Sequence, residues 1–249
     1  MMPSKRHAPI AIAAAALLAA WLLPTAAVAQ AAPDYAAIIA APDRSDADRE
    51  TDKRRDPVKL LAFTGARPGM TVLDMGAGGG YSTELMARAV APAGKVYGQN
   101  AAALARPLER FEARMKTPAM NNVVGLVRPF DDPLPPEVRD LDLITFFFFY
   151  HDTTYMEVDR AVMNRKLHAA LKPGGLLVIA DHSAKPGDGA NVGKSLHRIE
   201  ESALRREVEA AGFKLVGEAD FLRRPQDTRD YPSTRPTGPV DEFVLKFQK

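Results

Sequence analysis

The stretch Thr71-Val72-Leu73-Asp74-Met75-Gly76-Ala77-Gly78-Gly79-Gly80-Tyr81 decides the fold. Apolar residues lead up to Asp74, and four glycines crowd positions 76–80. A helical pattern then begins with Glu84-Leu85-Met86-Ala87-Arg88. The pattern predicts a strand, a glycine turn and a helix. In an open α/β sheet such a turn lies at the carboxyl end of the first strand, where ligands bind. Glycine lets the backbone take positive φ and come close to a ligand. The helix N-terminus adds a partial positive charge that suits an anionic group.

Spacing narrows the ligand. A dinucleotide fingerprint needs a small residue at its sixth position, and counting from Gly76 that position is Tyr81. A phosphate loop needs Gly-Lys-Ser/Thr, which the turn lacks. What remains is Asp74-x-Gly76-x-Gly78-x-Gly80, which resembles motif I of the class I S-adenosylmethionine-dependent methyltransferases. The bland alternative is a glycine turn with no ligand, but four glycines cost chain entropy without a packing return.

Downstream, strands and helices alternate. The expected strands are 70–75, 95–99, 122–127, 141–150, 176–181, 213–219 and 242–247, with helices at 81–90, 101–116, 154–171 and 195–211. The helix 101–116 presents Leu104, Leu108, Phe111 and Met115 on one face as core contacts. Leu141–Tyr150 holds four successive phenylalanines, which fits a strand buried on both faces of a parallel sheet. Leu171-Lys172-Pro173-Gly174-Gly175, about 100 residues after the glycine turn, is a second feature that resembles the methyltransferase family. So is the helix and Pro68-Gly69 turn before motif I. Residues 222–240 carry several prolines and read as a long loop, so the last strand is expected to run antiparallel. The expected fold class is α/β: a Rossmann-like seven-stranded, mostly parallel sheet with an antiparallel last strand and helices on both faces.

The chain has 249 residues and begins differently from the rest. Lys5 and Arg6 precede an apolar run of 14 residues, Ile10–Leu23, and Ala27-Val28-Ala29 matches a small-x-small cleavage site. That is a secretory signal-peptide pattern, too short for a membrane span of ~20 residues. Residues 1–29 are therefore expected to be a signal peptide, 30–56 a charged helical extension solvated at the domain edge, and 57–249 the methyltransferase-like domain. The expected location is outside the cytoplasm, periplasmic, with no stable membrane anchor once the leader is cleaved. The stretches Asp181-His182-Ser183, Leu196-His197-Arg198-Ile199-Glu200 and Ala210-Ala211-Gly212-Phe213 also resemble a group of exported bacterial methyltransferase-like proteins.

The formal net charge is +2, and removing the leader takes away only Lys5 and Arg6, so a neutral domain remains. Neutrality gives no electrostatic reason to expect nucleic acid. The absence of cysteine excludes disulfides, thiolate catalysis and cysteine-ligated metal. Oligomeric state is not written in this sequence.

Parallel strands deliver their following loops to one face of the sheet. The resemblance to the family implies S-adenosylmethionine as cofactor, a small-molecule acceptor and roles for those loops. Gly76, Gly78 and Gly80 accommodate the methionine portion, and Asp74 orients it. Asp131, with Asp132 behind it, offers a carboxylate to the adenine amino group; either is equally well a solvated turn residue. The end of the second strand, where the family carries an acid for the ribose, reads Gln99-Asn100. A neutral amide can accept one hydrogen bond and donate another, but the charge-assisted contact is lost. Tyr150-His151-Asp152 lies where the family places acceptor-side residues, and His182 and Asp181 sit across the cleft on the next strand; His151 is the first choice for a base and His182 the second. His197 and Glu201 are four apart, on one face of the expected helix 195–211; with His151, His182 and Asp181 they have the donors for a metal, but a salt-linked pair is the commoner meaning and no metal is expected. The leading expectation is an exported methyltransferase acting on a small molecule. The alternative is a non-catalytic binder of a nucleoside-like ligand, which Gln99-Asn100 favours slightly.

Overall fold

The computed structural model describes Met1 and residues 31–249, so the expected leader, apart from Met1, lies outside the described residues. Among the described residues no helix is long and apolar enough to cross a membrane. Three helices come first: α1 (Tyr35–Ala40), α2 (Asp46–Arg55) and α3 (Pro57–Thr64). Then follow β1 (Thr71–Met75), α4 (Tyr81–Val90), β2 (Lys95–Asn100), α5 (Ala105–Arg114), β3 (Val123–Val127) and β4 (Leu141–Phe147). The chain ends with α6 (Arg160–Ala170), β5 (Leu171–His182), α7 (Gly193–Leu196), α8 (Glu201–Glu209), β6 (Lys214–Ala219) and β7 (Glu242–Gln248).

The seven strands form one sheet in the order β3-β2-β1-β4-β5-β7-β6, with β7 antiparallel to both neighbours and the other pairs parallel. Side chains alternate across it with a period of two. Val72, Leu143, Val178 and Val244 face one apolar core shared with α3 and α4. Leu73, Ile144, Leu177, Ile179 and Leu245 face the other, shared with α6 and α8. Each such buried aliphatic side chain is worth about 1.5–3 kcal/mol relative to exposure. The two-sided burial explains the apolar run in β4 and confirms the expected fold class.

Four expected boundaries change, each for a tertiary reason. β4 stops at Phe147, because Phe148 takes φ +57° and turns the chain out of the sheet. The helix expected at 154–171 becomes a 3₁₀ turn at Tyr150–Thr154 and then α6, whose start is fixed by Asp159 accepting from Val162 N–H. β5 begins at Leu171 rather than 176, because Leu171 already pairs with Leu141 and residues 172–175 bulge before pairing resumes at Leu176. The helix expected at 195–211 is broken between α7 and α8. There Ile199 N–H donates to the His182 carbonyl, and Ala184 N–H donates to the Ile199 carbonyl. Those sheet-like bonds replace helical ones that the sequence period alone would predict.

The segment 35–56 is packed against the domain. Ser45 caps α2 as its position suggests, accepting from Asp48 N–H. Beyond that cap, α2 is not a solvated lead-in. Asp48 is buried against Arg114 of α5 at 2.7 and 2.8 Å, and Asp52 accepts from Tyr81 Oη at 2.6 Å. These contacts aim the basic C-terminal end of α2, Lys53-Arg54-Arg55, over the carboxyl ends of the strands.

Candidate active site

The glycine turn leaves β1 with positive φ at Gly76 (+61°), Gly78 (+56°) and Gly80 (+86°). At Gly76 a methyl group would stand 3.0–3.1 Å from Cγ, Cβ and Cδ1 of Phe149, so glycine is required by close approach as well as by φ. At Gly78 a methyl group would meet nothing nearer than the Gly76 carbonyl oxygen at 3.9 Å, so the backbone there is bare.

Asp74 sits beneath this turn. Its carboxylate accepts from Ser82 Oγ (2.8 Å), Thr83 Oγ1 (2.6 Å) and Thr145 Oγ1 (2.7 Å), and it is fully buried. Burial raises its pKa, against the lowering by those three hydroxyls. The expectation that Asp74 reaches a ligand is therefore corrected: it bolts β1 to the start of α4 and to β4. Gln99 and Asn100 are also buried and directed into the turn. Gln99 Oε1 accepts from Gly76 N–H (3.1 Å) while its Nε2 donates to the Arg128 carbonyl (2.7 Å). Asn100 Oδ1 accepts from Gly78 N–H (2.9 Å) while its Nδ2 donates to the Gly78 carbonyl (3.0 Å). This explains the missing acid and corrects the expected ribose contact. A carboxylate has no proton to donate to the Gly78 carbonyl, whereas an amide closes both bonds.

Beyond the turn lies a cavity of about 340 Å³ lined by Ala101–Ala103, Val127–Asp131 and Met156–Val158. Phe130 on its wall stacks on Phe149 at 5.1 Å between ring centroids, so the aromatic pair connects this cavity to Gly76. Asp131 lines it, whereas Asp132 is tied to Arg128 and Lys166 and lines a separate shallow cleft. A bare glycine backbone, an apolar cavity with aromatic walls and a carboxylate at the rim fit an adenosyl-bearing sulfonium cofactor. Gly76, Gly78 and Asp131 are the residues placed to hold it.

A larger cavity, about 720 Å³, opens at the ends of β4, β5 and β7. Phe148, Leu222, Pro236, Pro239 and Val240 give it apolar walls, and Lys53, Arg54, Arg55 and Arg224 line it with positive charge. Arg55 stacks on Phe148, 4.3 Å from the ring centroid, and burial lowers its pKa to about 10. The covering loop 222–240 is held by fully buried Arg198, which donates to Asp227 (2.7 Å), to the Ser183 carbonyl (2.9 Å) and to the Tyr231 carbonyl (3.1 Å).

His151 and His182 both line this cavity, but neither is arranged as a neutral-pH base. His151 Nδ1 lies 2.6 Å from Asp181 Oδ1, and its Nε2 lies 3.1 Å from Asp152 Oδ1. Burial disfavours the imidazolium, yet the two carboxylates outweigh it and hold the pKa at about 10, so the ring already carries its proton. Burial pushes His182 down to about 3 and its neighbour Glu242 up to about 8, leaving a neutral pair 3.0 Å apart. Tyr150 is corrected outright. Its hydroxyl donates to Glu207 (2.9 Å) and accepts from Asn164 Nδ2 (2.8 Å) inside the opposite core, and burial drives its pKa up. His197 and Glu201 do not share a helix face. His197 ends α7 at φ +49°, and Glu201 begins α8 paired with Arg223.

Sequence reading missed the basic end of α2, together with Arg224 and Glu242. A basic run after a capped helix start signals nothing by itself; only its packing turns it toward the cavity. The pairing of Asp152 with His197 depended on the helix break and carried no local signal.

With this geometry in place, comparison with known proteins assigns the chain. A profile of the methyltransferase domain matches residues 46–218. The chain belongs to the methyltransferase-domain family. Its cofactor is S-adenosylmethionine. The match begins at Asp46, so α2 falls inside the family's region. A ubiquinone/menaquinone biosynthesis C-methyltransferase from Shewanella baltica is 31% identical over 187 residues, which span 75% of this chain and 66% of that protein. A SAM-dependent methyltransferase from Aquifex aeolicus superposes with a TM-score of 0.60 at 20% identity, covering 86% of this chain and 98% of the other. An arsenic(III) S-adenosylmethionine methyltransferase from Chlamydomonas reinhardtii gives a TM-score of 0.55 at 15% identity, covering 88% and 73%. These two structures show the shared fold.

Proposed function

We propose that the protein transfers a methyl group from S-adenosylmethionine to a small acceptor held in the 720 Å³ cavity. The observation that carries this reading is the placement of a bare, positive-φ glycine turn beside an adenosyl-sized cavity, with a second cavity at the neighbouring strand ends. The cofactor supplies an already activated methyl group, so the chain's contribution is alignment and exclusion of water. Phe148, Leu222 and the proline-rich loop shut out solvent, and Arg198 fixes that loop. Lys53, Arg54 and Arg224 favour an acceptor bearing an anionic group. The Shewanella relative is named for a quinone pathway, and an acceptor with a flat apolar body and an anionic substituent is compatible with the mixed walls here.

The protein acts, in this reading, outside the cytoplasm, because residues 1–29 have the pattern of a cleavable leader. Isothermal calorimetry of the purified protein with S-adenosylmethionine and S-adenosylhomocysteine tests the function. Saturable binding of both is expected. Absence of binding at millimolar ligand would sink it, and binding without turnover across a panel of anionic aromatic acceptors would favour the non-catalytic alternative.

A further inference from the structure

At one end of the larger cavity, three side chains bring their donor atoms together. His151 Nε2 lies 3.1 Å and His197 Nδ1 3.0 Å from Asp152 Oδ1. One ligating atom from each residue falls within 4.8 Å of the others. A tetrahedral ion with bonds of about 2.0–2.1 Å separates its ligand atoms by about 3.3 Å, so the two distances to Asp152 need to open by a few tenths of an ångström, and the two nitrogens, which lie within 4.8 Å of each other, must settle near that spacing.

The surroundings are built for ligation. Asp181 Oδ1 accepts a hydrogen bond from His151 Nδ1 at 2.6 Å, which leaves Nε2 as the atom facing Asp152. Asp181 is itself fixed by the backbone N–H groups of His151 (2.9 Å) and His182 (2.8 Å). A carboxylate behind an imidazole is the usual device for orienting a metal-binding histidine. His197 is presented by the break between α7 and α8. It sits at positive φ, a conformation that costs a non-glycine residue stability and persists only when its surroundings enforce it. Here Ser233 Oγ donates to its carbonyl at 2.7 Å and its own N–H donates to Gly193.

We propose that His151, Asp152 and His197 bind a first-row divalent cation, zinc before the others, with one coordination position open to the cavity. Two imidazole nitrogens and one carboxylate oxygen suit zinc and its neighbours better than magnesium or calcium. The cation takes the place of the contacts that now join the two imidazole nitrogens to Asp152. The open position would take an oxygen donor, which the basic rim would help to recruit if that donor is anionic. The proposal stands whether or not the protein transfers methyl groups.

The test is titration of chelator-stripped full-length protein with Zn²⁺, followed by calorimetry and by competition with a chromophoric chelator. Wild type is expected to take up one equivalent. His197→Ala and Asp152→Asn are each expected to abolish stoichiometric uptake, and Asp181→Asn to weaken it about 10–100-fold, as loss of a supporting carboxylate does. His168→Gln is the control with binding unchanged, since His168 packs against Phe213 away from the cavity. Circular dichroism confirms that the variants are folded. The Co²⁺-loaded protein should show the visible absorption of a low-coordinate nitrogen/oxygen site. No stoichiometric uptake by wild type, or uptake that survives both His197→Ala and Asp152→Asn, overturns the proposal. Because S-adenosylhomocysteine binding is measured separately on the same samples, failure of the metal site and failure of the methyltransferase reading give different results.

Discussion

Replacing Gly76 by alanine tests the close approach at the centre of the cofactor turn. Two costs are separable. Gly76 sits at φ +61°, where an L-residue loses about 1–2 kcal/mol. The new methyl would also stand 3.0–3.1 Å from Cγ, Cβ and Cδ1 of Phe149, an overpacking that typically costs about 1–3 kcal/mol. Together they predict a loss of about 2–5 kcal/mol, which for a domain of this size lowers Tm by about 4–20 °C. Phe149→Ala removes the ring but keeps Cβ, so it relieves most of the steric part and none of the φ cost, which belongs to the backbone. A double-mutant cycle on urea unfolding should therefore give a favourable coupling of about 1–2 kcal/mol between the two substitutions. Calorimetry with S-adenosylhomocysteine on the same four proteins reports whether Phe149 also walls the cofactor. If Gly76→Ala and Phe149→Ala are additive within about 0.5 kcal/mol, the two groups do not touch and the account of the turn is wrong.

Arg198→Ala leaves Asp227 buried without its partner and should cost about 3–5 kcal/mol in urea unfolding, together with faster proteolysis in residues 222–240; a loss under 1 kcal/mol would refute the anchoring role. Glu242 has its pKa raised from 4.5 to about 8 by burial, with His182, Arg54, Arg55, Asp181 and Arg224 facing it. Between those two values the folded protein holds a proton that the unfolded chain has released, so stability falls as pH rises through the window. Glu242→Gln should remove that component and flatten the urea midpoint between about pH 5 and pH 8, whereas an unchanged pH profile contradicts a protonated Glu242. Asp48 has the opposite sign. Burial alone would raise its pKa, but Arg114 and Ser45 hold it below 3.8, so its contribution is full above that value and is lost on acidification. Arg114→Met should therefore shift the acid-unfolding midpoint upward. Fractionation of cells expressing the tagged full chain should place a protein shortened by the leader in the periplasmic fraction; full-length protein confined to the cytosol would refute export.

How much was legible follows from which interactions were local. The glycine turn, the apolar runs in β1 and β4 and the Lys172–Gly175 turn are written in adjacent residues, and they specified the sheet and its cofactor end, though not the pairing of Leu171 with Leu141. Tyr150 was misread because its neighbour His151 faces the cavity. The 3₁₀ turn that joins them sends successive side chains in opposite directions, and no strand or helix period describes it. The break at His197 depends on a backbone pairing with His182 and Ala184 and on a buried ion pair with residue 227. None of these partners is near in sequence, so the helical period of 195–211 gave the wrong answer for a sound reason. Gln99-Asn100 looked like a defect in a ligand contact and is instead the device that closes the turn.

The two ends of the ligand face are controlled by different parts of the chain. The cofactor end is rigid: Asp74, Gln99 and Asn100 are buried and their hydrogen bonds run inside the protein, so substitution there acts through stability. The end proposed for the acceptor is assembled from pieces outside the sheet, the basic end of α2 and the loop 222–240, and an arginine–aspartate pair is among the contacts that fasten each of them. Acceptor specificity can therefore diverge by change in α2 and the loop while the glycine turn stays as it is. That is the physical reason why the cofactor is readable from Asp74–Gly80 and the acceptor has to be argued from Arg54, Arg224 and the histidine cluster beneath them.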